Sequence, residues 1–272
     1  YEAATADLQD VNMIDPYHLE AYGVTAVNYN RDVEVFPVLR AMFERILGES
    51  PYQSPTDMGV NMIGSCVFDY DAVSEASRRE IVRRYYQAMC DLRTGRGEES
   101  TVAKIELLMN KAEITVDINP TVEASLRKAE ETGMPAVAIE LPDGRAITGK
   151  TSSLLGASSA ALLNALKELA GLDDSLHLIA PEVIEPIQHL KVEHLGNHNP
   201  RLHTDETLIA LSISAVTDPN AEQAMEHLAE LSGCDAHSTV ILSQVDTDVF
   251  RKLGVNMSCE PRYQTKKLYH KQ

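Results

Sequence analysis

Three stretches of this chain carry side chains at spacings that could do chemistry. The first, Gly144-Arg145-Ala146-Ile147-Thr148-Gly149-Lys150-Thr151, matches the phosphate-loop pattern G-x-x-x-x-G-K-[ST]. In such a loop backbone N–H groups wrap the phosphates, the Lys supplies a point charge and the Ser/Thr hydroxyl reaches Mg²⁺. The flanks point elsewhere. Residues 136–141 read as a strand, Pro142-Asp143-Gly144 is a tight-turn signal, and residues 145–148 alternate as a return strand would. Gly144 then turns a β-hairpin, and the match is a coincidence of letters. A weaker version survives: Lys150, Thr151, Ser152 and Ser153 at a strand-to-helix junction could hold a carboxylate or one phosphate. The competing use of Thr151 to Ser153 is to cap the following helix.

The second stretch holds four of the nine histidines, in HLKVEHLGNHNPRLH from His189 to His203. His194 and His198 are four apart, and His203 with Asp205 follows a turn, a set that could hold zinc or manganese. Zincin spacing is missing, because Leu195 follows His194, and Gly196-Asn197 ends any helix between the two histidines. Which metal, if any, is left open. His203 and Asp205 also qualify as an oriented acid/base pair, and Asp205 could instead cap a helix or pair with Arg201. Cys234 and His237 could form a nucleophile pair, against a buried structural Cys.

The third stretch is polar and lies near the amino terminus. Asn28, Asn30 and Arg31 form a compact cluster, and the loop 54–61 carries Asp57 and Asn61 among prolines, hydroxyls and a glycine. Polar loops of this density line substrate sites or serve as capped connections. Asp57 could also ligate a divalent cation through oxygen.

Certain elements must position these groups. Val35, Leu39, Met42, Phe43 and Ile46 mark one face of a helix over 33–47, and residues 69–133 read as helices, with Arg78, Arg79, Arg83 and Arg84 on a solvated face. The hairpin follows, then a long apolar helix over 154–170, which suits either a central core or a subunit contact. Residues 177–181 read as a strand end, 182–195 as a helix opened by Pro181, and 207–216 as a buried strand. The chain then alternates: helix 220–231, strand 237–243, helix 247–253, strand 255–259. The fold class is α/β, a mixed sheet with helices packed on it, preceded by a mainly helical segment. Residues 1–62 form a polar-loop region, 63–133 a helical segment, and 134–272 the α/β domain.

Composition restricts the partners. The formal net charge is −17, from 41 acidic and 24 basic residues, which disfavours nucleic acid and anionic membranes. The four cysteines, Cys66, Cys90, Cys234 and Cys259, form no C-x-x-C pair and suit reduced thiols in the cytoplasm. No run of eighteen apolar residues exists to span a bilayer.

The runs NMIDPYHLEAYG, NYNRDVEVFPVLRAMFERILGESPYQSPTDMGVN, GKTSSLLGASSAALLNALKELAG, APEVIEPI, NPRLHTDETLIALSISA and CDAHSTVILSQVD resemble the bacterial uncharacterised protein family 0371, or domain of unknown function 1846. The resemblance covers essentially the whole chain. It implies a longer protein whose carboxy-terminal half this is, with a Rossmann-like amino-terminal region that residues 1–62 complete or pack on. It implies no activity, although some members are labelled ATP-dependent peptidases. The residues themselves suggest a cytosolic enzyme that binds a small anionic metabolite or nucleotide. Asn28, Asn30, Arg31, Asn61, Lys150, Thr151, Ser152 and Ser153 would hold the ligand, and His203, Asp205 and Asp57 would do the chemistry. The alternative is a non-catalytic binding or homo-oligomeric assembly module. The cofactor, if any, is left open.

Overall fold

In the computed structural model residues 17, 20, 21, 23, 30–54 and 70–264 are described. They divide between two compact units, Tyr1–Ile118 and Asn119–Gln272.

The first unit is helical where described, with α1 (Asn30–Leu47), α2 (Tyr70–Thr94), α3 (Glu99–Lys111) and a 3₁₀ turn at Val116–Ile118. On α1 the inner stripe runs through Phe36, which is buried, and Phe43, whose ring meets Tyr52 edge-on at 5.5 Å. Val35, Met42 and Ile46, expected on that stripe, are exposed. Both stripes have helical spacing, and the larger aromatic surfaces win the burial. On α2, Ile81, Val82, Tyr86 and Cys90 are buried as their spacing predicts. The arginines, however, do not form a solvated face. Glu80 is fully buried, with Arg84 Nε 2.7 Å from Oε1 and Arg83 2.9 Å from Oε2, and Arg84 is itself buried. A glutamate one helical turn before them supplies the counter-charge that lets guanidinium groups leave water.

The second unit holds the sheet. Its first helix, α4 (Pro120–Thr132), starts where the Asn119 side chain accepts from Thr121 N–H, and stops at Gly133 in the left-handed conformation. β1 (Ala136–Glu140) and β2 (Ala146–Lys150) pair antiparallel, with Ile139 opposite Ile147 and Val137 opposite Gly149. Gly144 N–H donates to the Leu141 carbonyl at 2.8 Å and has φ +84°, so the turn needs its glycine. The hairpin stands, and these letters form no phosphate loop. α5 (Ala157–Leu169) begins later than its apolar pattern suggested, and Gly156, not residues 151–153, is its N-cap. Its Ala161, Leu162, Ala165 and Leu166 are fully buried against Val137 and Ile139, which makes α5 the central helix of the core.

Beyond it come α6 (Pro181–His189), continued by a π turn at Leu190–His194, then α7 (Thr204–Ser214) and α8 (Pro219–Glu226). A 3₁₀ turn (Leu228–Leu231), β3 (Asp235–Ser238), α9 (Gln244–Lys252) and β4 (Asn256–Cys259) complete the order. The sheet runs β2-β1-β3-β4, with β3 and β4 parallel and the other pairs antiparallel. Every residue of β1 from Ala136 to Ile139 is buried, because α4 and α5 both pack on it, and alternate residues face opposite sides. The fold is α/β with a mixed sheet.

Two expected strands are absent. Residues 177–180 form an irregular connection bent at 178–179, and Pro181 already opens α6. The run 207–216 lies mostly in α7, where Thr204, Thr207, Ala210 and Leu211 are buried at helical spacing. A ten-residue apolar run satisfies either element, and the helix start at Thr204-Asp205-Glu206 decides it.

Candidate functional site

The expected groups can now be placed. Asn28, Asp57 and Asn61 lie outside the described residues, and Asn30 and Arg31 stand in the first turn of α1, of which the backbone alone is described. Lys150 ends β2 as an exposed side chain. Ser152 is used by the chain itself: its hydroxyl accepts from Leu154 and Leu155 N–H, and its carbonyl accepts from Arg201 Nε at 2.6 Å. Ser153 is exposed, and its carbonyl accepts from Gln188. Of the four corner residues, Thr151 lines a cleft.

That cleft, about 210 Å³, lies within the second unit and is bordered by Thr151, Ser158, Arg201, His203, Ser243 and Asp246. The loop before α7 runs beside the linker before α5. Leu202 N–H donates to Leu154 O at 3.0 Å, Gly156 N–H to Leu202 O at 3.2 Å, and Ser159 Oγ to the same carbonyl at 3.0 Å. The result brings three helix starts to one place. Gly156, His203 and Ser243 are the N-caps of α5, α7 and α9, and all three border the cleft. Helix starts present N–H groups and a partial positive charge, so their meeting favours an anion.

His203 borders the cleft, and the carboxylate its ring meets is not Asp205. Nδ1 of His203 lies 3.1 Å from Asp246 Oδ2, across 43 residues. Asp205 instead accepts from Glu206 N–H through its own Oδ1. Asp246 is saturated. Thr204 N–H and Oγ1–H both donate to Oδ1 at 3.0 Å, and Ser243 Oγ–H donates to Oδ2 at 2.7 Å. The hydrogen bond to Asp246 raises the pKa of His203 above its ordinary value, against the opposing effect of burial. Burial alone would raise Asp246, but His203, Ser243 and the Thr204 N–H together hold it below the usual carboxylate value.

A second layer holds His203 in place. Lys191, buried in the π turn, donates to Arg201 O at 2.7 Å and to Glu206 Oε2 at 2.6 Å. The same Glu206 oxygen accepts from His203 N–H at 2.9 Å. Neutral His203 can donate from Nδ1 to Asp246 and leave Nε2 as an acceptor facing no described partner; protonated, it donates from both nitrogens. Such a ring can take or give a proton at Nε2.

The other candidate sets come apart. His194, the last residue of the π turn, and His198 are both exposed, with Gly196 at φ +70° between them, and His189 pairs with Glu193 at 3.0 Å. Among the described residues no three His, Cys, Asp or Glu side chains gather as a metal site. His237 is buried with Nδ1 2.8 Å from Ser258 Oγ, while Cys234 Sγ rests 3.6 Å from the Glu230 carbonyl. Burial pushes the Cys234 thiol up to about 11, far from a reactive thiolate.

Asp246, Ser243, Ser158 and Lys191 were not singled out from the sequence. Ser243-Gln244-Val245-Asp246 does carry a helix-start signal, Ser then Asp three residues on, and Ser243 Oγ accepts from Asp246 N–H at 3.2 Å. Nothing in that signal says which histidine the aspartate meets.

Comparison with known proteins follows the division into units. A family model described as domain of unknown function DUF1846, N-terminal, matches residues 1–113, and its C-terminal counterpart matches residues 117–269. Relatives include UPF0371 proteins of Streptococcus pyogenes, 59% identical over 271 residues, and of Streptococcus thermophilus, 58% identical over 271 residues. Each alignment covers 100% of this chain and 55% of the relative, so the chain spans about half the length of these proteins.

Proposed function

The chain belongs to the DUF1846 (UPF0371) family, and on that premise we propose that its second unit is an enzyme module binding a small anionic metabolite in the cleft between α5, α7 and α9. His203, oriented by Asp246, is the proton-transfer group. The observation that carries this reading is the 3.1 Å contact between His203 Nδ1 and Asp246 Oδ2 at the meeting of three helix starts. The cleft, at about 210 Å³, is smaller than the roughly 300–1,000 Å³ of sites that enclose drug-sized ligands. A small metabolite therefore fits better than an enclosed nucleotide. The reading places the protein in the cytoplasm, which suits four cysteines spaced without any C-x-x-C pair. Among the described residues no helix is long and apolar enough to cross a membrane.

A thermal-shift screen of the full chain against small carboxylates, phosphomonoesters and nucleotides tests this. A specific ligand raises the melting temperature by mass action, about 2.7 kcal/mol at a hundredfold excess over Kd. We expect a hit, and we expect His203→Gln to reduce the shift and to remove turnover of that compound. No shift from any anion near millimolar concentration would leave the rival reading, an assembly module. That rival is favoured by Ile209, Ile213 and Val216, which stay exposed on or just after α7 and could meet a second copy of the chain. The mass of the protein in solution measures it.

A further inference from the structure

We infer that the anionic group this cleft receives is a phosphoryl group, seated on the Thr151 and Ser158 hydroxyls and the first turn of α5. The inference rests on the reading of the cleft as an anion site and specifies its chemistry. Thr151 and Ser158 are each only 3% exposed, and both border the cleft. Neither hydroxyl makes a hydrogen bond to any described residue, whereas its neighbours Ser152 and Ser159 are both engaged. Neither oxygen is among the fully buried atoms left without a partner, so both hydroxyls stay reachable from the cleft and neither is spent on the fold.

Other donors border the same space. Gly156 brings no side chain to cap α5, so the N–H groups of its first turn are not taken by a capping side chain, and Ala157 and Ser158 border the cleft. Arg201 spends Nε on the Ser152 carbonyl, which leaves its two terminal nitrogens without a described partner. His203 adds Nε2. Two hydroxyls, the N–H groups of one helical turn, a guanidinium and an imidazolium exceed what the roughly four lone-pair positions of a carboxylate can accept. They suit the three terminal oxygens of a phosphomonoester.

Asp246 shares the cleft, and its charge would oppose an anion. Both of its oxygens are consumed by Thr204, Ser243 and His203, so it supports the ring rather than confronting the ligand. Glu206 is likewise taken by Lys191 and the His203 N–H. The cleft volume of about 210 Å³ leaves room for a phosphoryl group and a few further atoms. The ligand class is therefore a phosphomonoester of a small alcohol, or inorganic phosphate itself.

Calorimetric titration of the full chain with inorganic phosphate, and separately with acetate and malonate, tests the assignment near pH 6. Phosphate should bind. Ser158→Ala and Thr151→Val should each weaken it by about tenfold, the effect of losing one hydrogen bond to a charged group. The surface variant Arg127→Ala should bind as the parent does. Neither cleft variant should lower the melting temperature without phosphate, because a hydroxyl with no partner contributes nothing to the fold. Binding of acetate or malonate but not phosphate would overturn the phosphoryl assignment and leave the anion site standing. Phosphate binding that ignores both substitutions would overturn the seat. Failure of every anion to bind would remove the inference together with the proposed function.

Discussion

At the scale of single residues, the His203–Asp246 pair ties protonation to stability. The folded-state pKa of His203 is raised above 6.5, so its contribution is fully present below that value and is lost as pH rises through the folded value. The pKa of Asp246 is lowered from 3.8, so its contribution is present above that value and is lost as pH falls through the folded value. The pair is therefore complete from above the carboxylate range up to the raised histidine value. The melting temperature of the parent should exceed that of His203→Gln by most near about pH 5, with the gap closing toward about pH 9 as the imidazolium is lost. A gap that stays constant across this range would show that His203 contributes by packing alone. That His203 could do acid/base work was legible in the sequence. Its partner was not, because a contact spanning 43 residues has no local signature.

At the scale of elements, the letters that imitate a phosphate loop have a packing explanation. A Cβ on Gly149 would fall 2.0 Å from the backbone nitrogen of Ala161 and 2.5 Å from the Ala160 carbonyl carbon. Glycine there lets β2 lie directly against α5, and two backbones cannot yield as a flexible side chain would. Gly149→Ala should destabilise the protein by about 1–3 kcal/mol or more, the usual cost of overpacking a tight site. Gly144→Ala meets open space and strains only a turn, at about 1 kcal/mol. Denaturant unfolding of the two variants checks the order, and a milder effect at Gly149 would refute the packing account. The hairpin itself could be read because Pro142-Asp143-Gly144 is local chemistry. α7 could not, because its apolar run also suits a strand, and the Glu206 half of its capping box closes only on the folded backbone.

At the scale of the molecule, the core cluster of buried residues runs from Val137 to Val255, entirely within the second unit. A unit with its own core and its own sheet should fold alone. Residues 119–272 expressed by themselves should give a single cooperative thermal transition and native near-ultraviolet dichroism. A non-cooperative melt would mean that this unit depends on the rest of the chain. The candidate cleft lies inside the same unit, so the isolated piece should also keep its anion binding.

The sequence by itself determined the α/β class, the hairpin, the buried helix after it, the acidic surface and the histidine worth attention. Each of these follows from local propensity, periodicity or composition, which neighbouring residues carry between them. Only the tertiary structure decided that Asp246 rather than Asp205 serves His203, that Thr151 rather than Lys150 borders the cleft, and that three helix starts converge there. Those are matters of which distant backbone segments lie side by side. Linear order constrains such pairings weakly, and the packing of α5 against the sheet sets them.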